Sequence, residues 1–338
     1  MSRRLGNLIL RFVCRDGSCS LALGTAAEMW RRDGYLVRQG LLQESEVVEL
    51  RRRALELARR FHGEEIINKP IPVDLLSEPL FRPLILDPRI LGLARELIGP
   101  RLVYCGDSKI TIQNIRGRFH KDSSPAGVWP SAEGYDPFDP REGPYDVLRI
   151  MLYLQDHREF AGNLRVRRGS HGQPVVHHVT WPRDVFFWMS GRLRSFPGLP
   201  SGKRVNLNTA PGDVVAFNLR VSHGINAIRL KGLPGLCLDP KIERFVPHRL
   251  RAPELRERVA VLITFGAPGV HLERYIQSRM KRFSSNDRFR KAAFDSPEIR
   301  ALAERAGLEL RFDLIRQGEP AAAARGPEAH PAADDQVR

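Results

Sequence analysis

The sequence predicts a mainly β protein with flanking helices, its core an antiparallel barrel or a double-sheet jelly roll. Three observations predict it. Between residues 102 and 265, short apolar or alternating segments are separated by Gly, Pro, Asn and Asp, the rhythm of strands joined by turns. Ahead of them, apolar residues recur at helical spacing. Hydrophobic residues make up 42% of 338, enough for a packed core, and no internal repeat or linker divides the chain. A single domain over 1–317 is expected, with its β core at about 102–265 and a disordered, Ala- and Pro-rich tail at 318–338.

In order, residues 1–24 have weak periodicity and are expected to be loosely ordered. Ala26 to Gly34 reads as a helix and Gly34 to Val37 as a short strand. From Leu42, Glu44-Ser45-Glu46 opens a helix whose apolar face is Val47, Val48, Leu50, Ala54, Leu55, Leu57 and Ala58. Its other face, with Arg51, Arg52, Arg53, Arg59 and Arg60, reads as solvated. A further helix from Pro88 to about Ile98 stops at Gly99-Pro100. Strand segments follow at Val103-Tyr104, Lys109 to Gln113, Val147 to Leu154, Leu164 to Val166, Val214 to Phe217 and Val259 to Phe265. Two long loops, 123–145 and 172–210, interrupt them, and 230–255 is a third insertion. Loops of that length in a compact domain tend to be functional lids; Trp129, Trp181, Trp188, Phe186 and Phe187 within them are expected to pack on the core. Val270 to Arg282 and Ser296 to Ile315 read as terminal helices.

The net charge is +15, supplied mostly by arginine, with pI near 10.3, which favours an anionic partner. No run of five basic residues and no nucleic-acid motif accompanies it, so nucleic acid is not the expected partner. Four cysteines without CxxC spacing suit a reduced, cytoplasmic protein. The apolar run after Arg4 is broken by Asn7 and Arg11 and lacks a small-residue cleavage site, which speaks against a signal peptide. No stretch approaches the roughly 20 apolar residues of a membrane span.

The chemistry is expected at His120-Lys121-Asp122 and, about a hundred residues later, His223 in Ser222-His223-Gly224. Side chains two apart on a strand share a face, so His120 and Asp122 are expected to point into the core together. Two imidazoles and a carboxylate on one side of a metal, with open positions opposite, suit Fe(II) oxygenases.

Around these residues lie Tyr153-Leu154-Gln155-Asp156-His157, Ala161-Gly162-Asn163-Leu164-Arg165-Val166, Gly169-Ser170-His171-Gly172 and Pro211-Gly212-Asp213-Val214-Val215-Ala216-Phe217. In this order the segments resemble the phytanoyl-CoA dioxygenase family over roughly 102–265. The resemblance implies a double-stranded β-helix (a jelly roll, cupin-like) using Fe(II), O2 and 2-oxoglutarate. It implies His120, Asp122 and His223 as iron ligands and an arginine heading the following strand as partner of the far carboxylate of 2-oxoglutarate. Arg258 fits that position; Arg229 and, less well, Arg256 compete. Asn114-Ile115-Arg116-Gly117 departs from the lysine and prolines the family often has there. Gln113, Lys109 and Arg149 are candidates to face the cavity, with a structural role open for each. Asp122 argues against the family's halogenase-type chemistry.

His171 is read as shaping a turn, and His177-His178 as exposed loop residues. The expected substrate is a small metabolite; the basic balance is compatible with an anionic or carrier-bound one and equally with a plain solvated basic surface. Two other readings stay open: a non-catalytic barrel that binds or scaffolds, and a cupin-type metalloenzyme without 2-oxoglutarate.

Overall fold

The computed structural model describes residues 12–15, 18–21, 25–113, 120–122, 143–172, 204–225, 228–233, 245–284 and 296–311. Most of the loops expected at 123–145 and 172–210, with their aromatics and His177-His178, lie outside these residues, as do Asn114 to Gly117 and the tail at 318–338.

Where loose order was expected near the start, a hairpin forms from β1 (Phe12–Arg15) and β2 (Ser18–Leu21), with Cys14 and Cys19 opposite each other in register. Helix α1 (Ala26–Asp33) starts at a capping box, in which Thr25 accepts from the Glu28 amide and Glu28 from the Thr25 amide. It ends at Gly34, whose φ of 77° is a left-handed cap, and the chain turns directly into β3 (Tyr35–Arg38). Helix α2 (Glu44–His62) buries Val47, Ala54, Leu57 and Ala58. Arg52 and Arg53 pair with Glu49 and Glu56 on its outer face, contacts worth about 0.3–0.5 kcal/mol each. Arg51 departs from the solvated face expected of it: its guanidinium reaches the Glu257 carbonyl at 2.7 Å and Gln155 at 3.2 Å. Short α3 (Arg82–Ile85) leads to α4 (Pro88–Ile98), capped by Asp87 with Pro88 in its first turn.

Two sheets form the body. In the larger, the order is β11-β4-β10-β5-β8-β3, from β4 (Leu102–Gln113), β5 (Val147–Tyr153), β8 (Val214–Asn218), β10 (Arg258–Gly266) and β11 (Leu308–Leu310). In the smaller, β6 (Leu164–Arg167) lies between β7 (Arg204–Leu207) and β9 (His223–Ile225). Pairing is antiparallel except for β11 on β4. The sheets face each other as a jelly roll; among the described residues they do not close into a barrel.

Alternation assigns the two faces of the larger sheet. Leu148, Ile150, Leu152, Val214, Ala216, Val259, Val261 and Ile263 pack against the helices. Met151, Tyr153, Val215, Phe217, Ala260 and Leu262 meet Leu164, Val166 and Leu207 of the smaller sheet. Each fully buried Leu or Ile contributes about 1.5–3 kcal/mol.

Further sequence expectations need correction. The loop expected at 172–210 contains a strand, β7, paired with β6. The segments at 103–104 and 109–113 are one strand, β4, because Cys105 to Asp107, which read as a break, form a bulge opposite β10. The last helix is shorter than 296–315: α6 (Pro297–Arg305) follows α5 (Val270–Ser284) and gives way to β11. His120 makes only an isolated bridge to His223 and Asp122 sits in a turn, so strand alternation is not what brings them together. Among the described residues, no helix is long and apolar enough to cross a membrane.

Candidate metal centre

The edge strand β9 of the smaller sheet carries one donor, His223, and an isolated bridge to it brings up the second, His120. His120 and His223 exchange backbone hydrogen bonds at 2.9 and 2.8 Å, which brings their imidazoles side by side, tilted by 51° with centroids 4.4 Å apart. The turn after His120 then brings the Asp122 carboxylate to the Nε2 edges of both rings. Its Oδ1 lies 3.6 Å from His120 Nε2 and its Oδ2 3.6 Å from His223 Nε2. These gaps are long for hydrogen bonds and short enough for one ion to be shared. Taking one ligand atom from each residue, all three lie within 4.8 Å of one another, the one such group of His, Cys, Asp or Glu among the described residues.

Protonation suits a cation. His223 Nδ1 lies 2.9 Å from the Val221 carbonyl, which can only accept; Nδ1 therefore carries the proton and Nε2 keeps its lone pair. Burial pushes the His223 imidazole down to about 4, against the pull of Asp122. Burial would raise the Asp122 carboxyl, but Arg149, His223 and His120 outweigh it and hold it well below the usual carboxylate range. The site is thus a neutral buried imidazole, an ionised carboxylate and a second imidazole on the exposed side, His120 being half open to solvent. Two nitrogens and one oxygen on one side of a cavity fit Fe(II).

Inward-facing residues of the larger sheet form a row leading away from these donors. Register aligns Thr264 with Arg149, Leu262 with Lys109 and Met151, Ala260 with Thr111 and Tyr153, and Arg258 with Gln113. Arg149, buried, donates to Asp122 Oδ2 at 2.5 Å. Lys109 shares this face, and burial together with Arg149 pushes its ammonium down to about 8. Gln113 pairs through its backbone with Arg258; its side chain lies outside the described set. Of the three residues left open between cavity and structural roles, Arg149 and Lys109 are therefore on the cavity face. Period-two alternation along β5 puts Arg149 on the same face as Met151 and Tyr153.

Arg258 heads β10 at the far end of the row, its guanidinium 5.4 Å from the Tyr153 ring centroid. Gly162, with φ of 101°, lets it pass: a Cβ there would stand 2.5 Å from Arg258 Cδ. Arg229 is nearby. The ends of the 230–255 insertion are held together by a Leu230–Arg251 bridge and an Ala252 N–H bond to the Arg229 carbonyl. Arg229 Nη1 donates to the His157 carbonyl at 2.8 Å. The two arginines weighed from sequence thus share one end, and Arg258 is the one on the inner face. Arg256 sits in the bend just before β10. His171, as expected, supports a turn: its Nε2 hydrogen-bonds the Arg31 carbonyl at 2.9 Å.

No curated protein matches the sequence. Among solved structures, the non-haem α-ketoglutarate-dependent epimerase SnoN from nogalamycin biosynthesis aligns at TM-score 0.46 and 18% identity, over 71% of this chain and 79% of its own. The α-ketoglutarate-dependent carbocyclase SnoK from the same biosynthesis aligns at 0.44 and 20%, over 74% and 89%. HygX from Streptomyces hygroscopicus, with nickel and 2-oxoglutarate bound, aligns at 0.45 and 17%, over 71% and 85%. Likeness at these scores carries no inference about this chain's chemistry. The family model described as phytanoyl-CoA dioxygenase (PhyH), a family that uses Fe(II) and 2-oxoglutarate, matches residues 30–229. That is more than half of the chain and includes His120, Asp122 and His223: the protein belongs to the phytanoyl-CoA dioxygenase family.

Proposed function

We propose that the protein is an Fe(II)/2-oxoglutarate-dependent oxygenase that hydroxylates a C–H bond of a small molecule, with His120, Asp122 and His223 as iron ligands. One observation carries this reading: two imidazoles and a carboxylate with ligand atoms within 4.8 Å of one another, inside a chain whose family uses that metal and co-substrate. Bound Fe(II) and 2-oxoglutarate supply the oxidant, O2 and 2-oxoglutarate giving succinate and CO2 while R–H becomes R–OH. The chain's own residues bind and orient. Val221 fixes the His223 tautomer and Arg149 fixes the Asp122 carboxylate. Arg258, a planar fork on the inner face, takes the far carboxylate of 2-oxoglutarate; its place at the head of β10, on the inner face between Tyr153 and Gly162, supports this role. Apolar Met151, Leu262 and Phe217 keep water from the space between. The substrate class is a small, anionic or carrier-bound metabolite, in keeping with the net charge of +15 and with Lys109 on the cavity face.

Anaerobic protein given Fe(II) and 2-oxoglutarate is expected to develop a weak visible charge-transfer band. His223→Ala loses both metal and band. Arg258→Ala keeps the metal and weakens 2-oxoglutarate binding about 10- to 100-fold, the worth of hydrogen bonds to a charged group; Arg229→Ala weakens it far less. A parent protein that takes up no iron overturns the reading. Metal uptake without any response to 2-oxoglutarate favours a cupin-type enzyme instead.

A further inference from the structure

The carboxylate of Asp122 is held by a chain of buried polar groups that starts on α5, beyond the residues the family model matches. Arg149 Nη1 donates to Asp122 Oδ2, its Nη2 to Asp107 Oδ2 at 2.6 Å, and its Nε to Thr264 Oγ1 at 3.1 Å. Asp107 reaches this position because the β4 bulge turns it toward β10 and α5. The same Asp107 oxygen accepts from Thr264 Oγ1 at 2.9 Å, from the Tyr275 hydroxyl, and from Arg279 Nη2 at 3.2 Å. Arg279 Nε in turn donates to the Tyr275 hydroxyl at 2.9 Å. Leu272, Tyr275 and Ile276 anchor α5 against Val103, Cys105 and Val147.

The network joins two carboxylates and two guanidiniums, each costly to bury alone. A guanidinium is a rigid planar fork. With three of its nitrogens committed to Asp122, Asp107 and Thr264, Arg149 can neither rotate nor retreat, so the Asp122 Oδ2 it grips is held in place. Its positive charge opposes a cation at Asp122, but Asp107 offsets that charge from the other side at 2.6 Å. Orientation, not charge, is then its main effect on the metal.

We infer that Arg149 is a positioning residue for the metal carboxylate Asp122, held in register by helix α5 through Asp107, Tyr275 and Arg279. This rests on the proposed metal centre. Co(II) is the probe, titrated into the metal-free full chain and followed by its visible absorption, with the urea midpoint of each metal-free variant reporting folding. Arg149→Met is expected to bind Co(II) about 10- to 100-fold more weakly, the usual consequence of losing a ligand's hydrogen-bond partner, with its absorption maxima moved. Arg149→Lys, which keeps the charge and one donor, recovers about threefold or more of that loss. Tyr275→Phe, which touches no ligand, weakens Co(II) by about threefold with a near-parental urea midpoint. Affinity within about twofold of the parent and unmoved maxima in Arg149→Met overturn the inference, as does a lysine variant no tighter than the methionine one. Should Arg149→Met fail to fold, Tyr275→Phe decides, and parental affinity there overturns it. A parent that binds no Co(II), or binds it as well as His223→Ala does, overturns the metal reading itself.

Discussion

His157 should make the fold sensitive to mild acid, and one substitution should remove that sensitivity. The residue is fully buried, its ring edge-on to Tyr153 at 4.5 Å. Gln155 Oε1 already accepts from the Val259 amide and Arg51, so the Gln155 amide group donates to His157 Nε2 at 3.0 Å. His157 is therefore a neutral acceptor at Nε2. Burial, then Arg258 and Arg229 beside it, push its imidazole down to about 3 from an ordinary 6.5. In the unfolded chain the imidazole takes up a proton near 6.5; in the folded chain it does not until about 3. Between those values the unfolded state holds one more proton, so stability falls as pH falls, by about 1.4 kcal/mol per unit. From about pH 7.5 to about pH 4.5 the loss integrates to about 2.7 kcal/mol, because the window ends above the folded value. His157→Gln offers an acceptor and a donor but does not titrate. Urea midpoints of metal-free parent and variant across that window, converted through a common m-value, should diverge by that amount, the variant losing less. Parallel loss in the two proteins would refute a neutral, desolvated His157.

Two glycines give further tests. Gly162→Ala places a Cβ 2.5 Å from Arg258 Cδ, at φ of 101°, so Arg258 must move; 2-oxoglutarate binding should weaken about tenfold while Co(II) affinity, read by titration, stays near parental. Gly34→Ala drives a Cβ into the His171 ring and to 2.6 Å from Val221 Cγ2, at φ of 77°. Urea unfolding should show a loss of about 2–4 kcal/mol from strain and overpacking, and an unchanged midpoint would contradict the tight packing of α1 on the Ser170–Gly172 turn.

Much of this protein was legible in its sequence. Periodicity located α1, α2, α4 and the strands at 147, 164, 214 and 259, because each element buries one face and that face must be written at its own period. Spacing and local context singled out His120, Asp122 and His223, since ligand chemistry restricts which residue types can serve. Chain continuity across the β4 bulge was not legible, since Gly106 and Asp107 are turn formers that here interrupt a ladder without ending the strand. β9, three residues long, is too short for alternation to register; its position came only from the motif around His223. β11 escaped for the same reason.

By itself, then, the sequence marked the longer helices and strands, the jelly-roll class and three candidate donor residues, all of which depend on residue type and local period. Tertiary structure decided what depends on pairing between distant segments. His120 faces His223 through a cross-strand bridge and not through strand alternation. Arg258 and Arg229 meet at His157 because the two ends of a long insertion are bridged. Arg149 holds Asp122 because a bulge in β4 and a helix from the far end of the chain converge on Asp107. Strand register and helix docking are collective outcomes of core packing, and no local run of residues encodes which distant charge a buried guanidinium will meet.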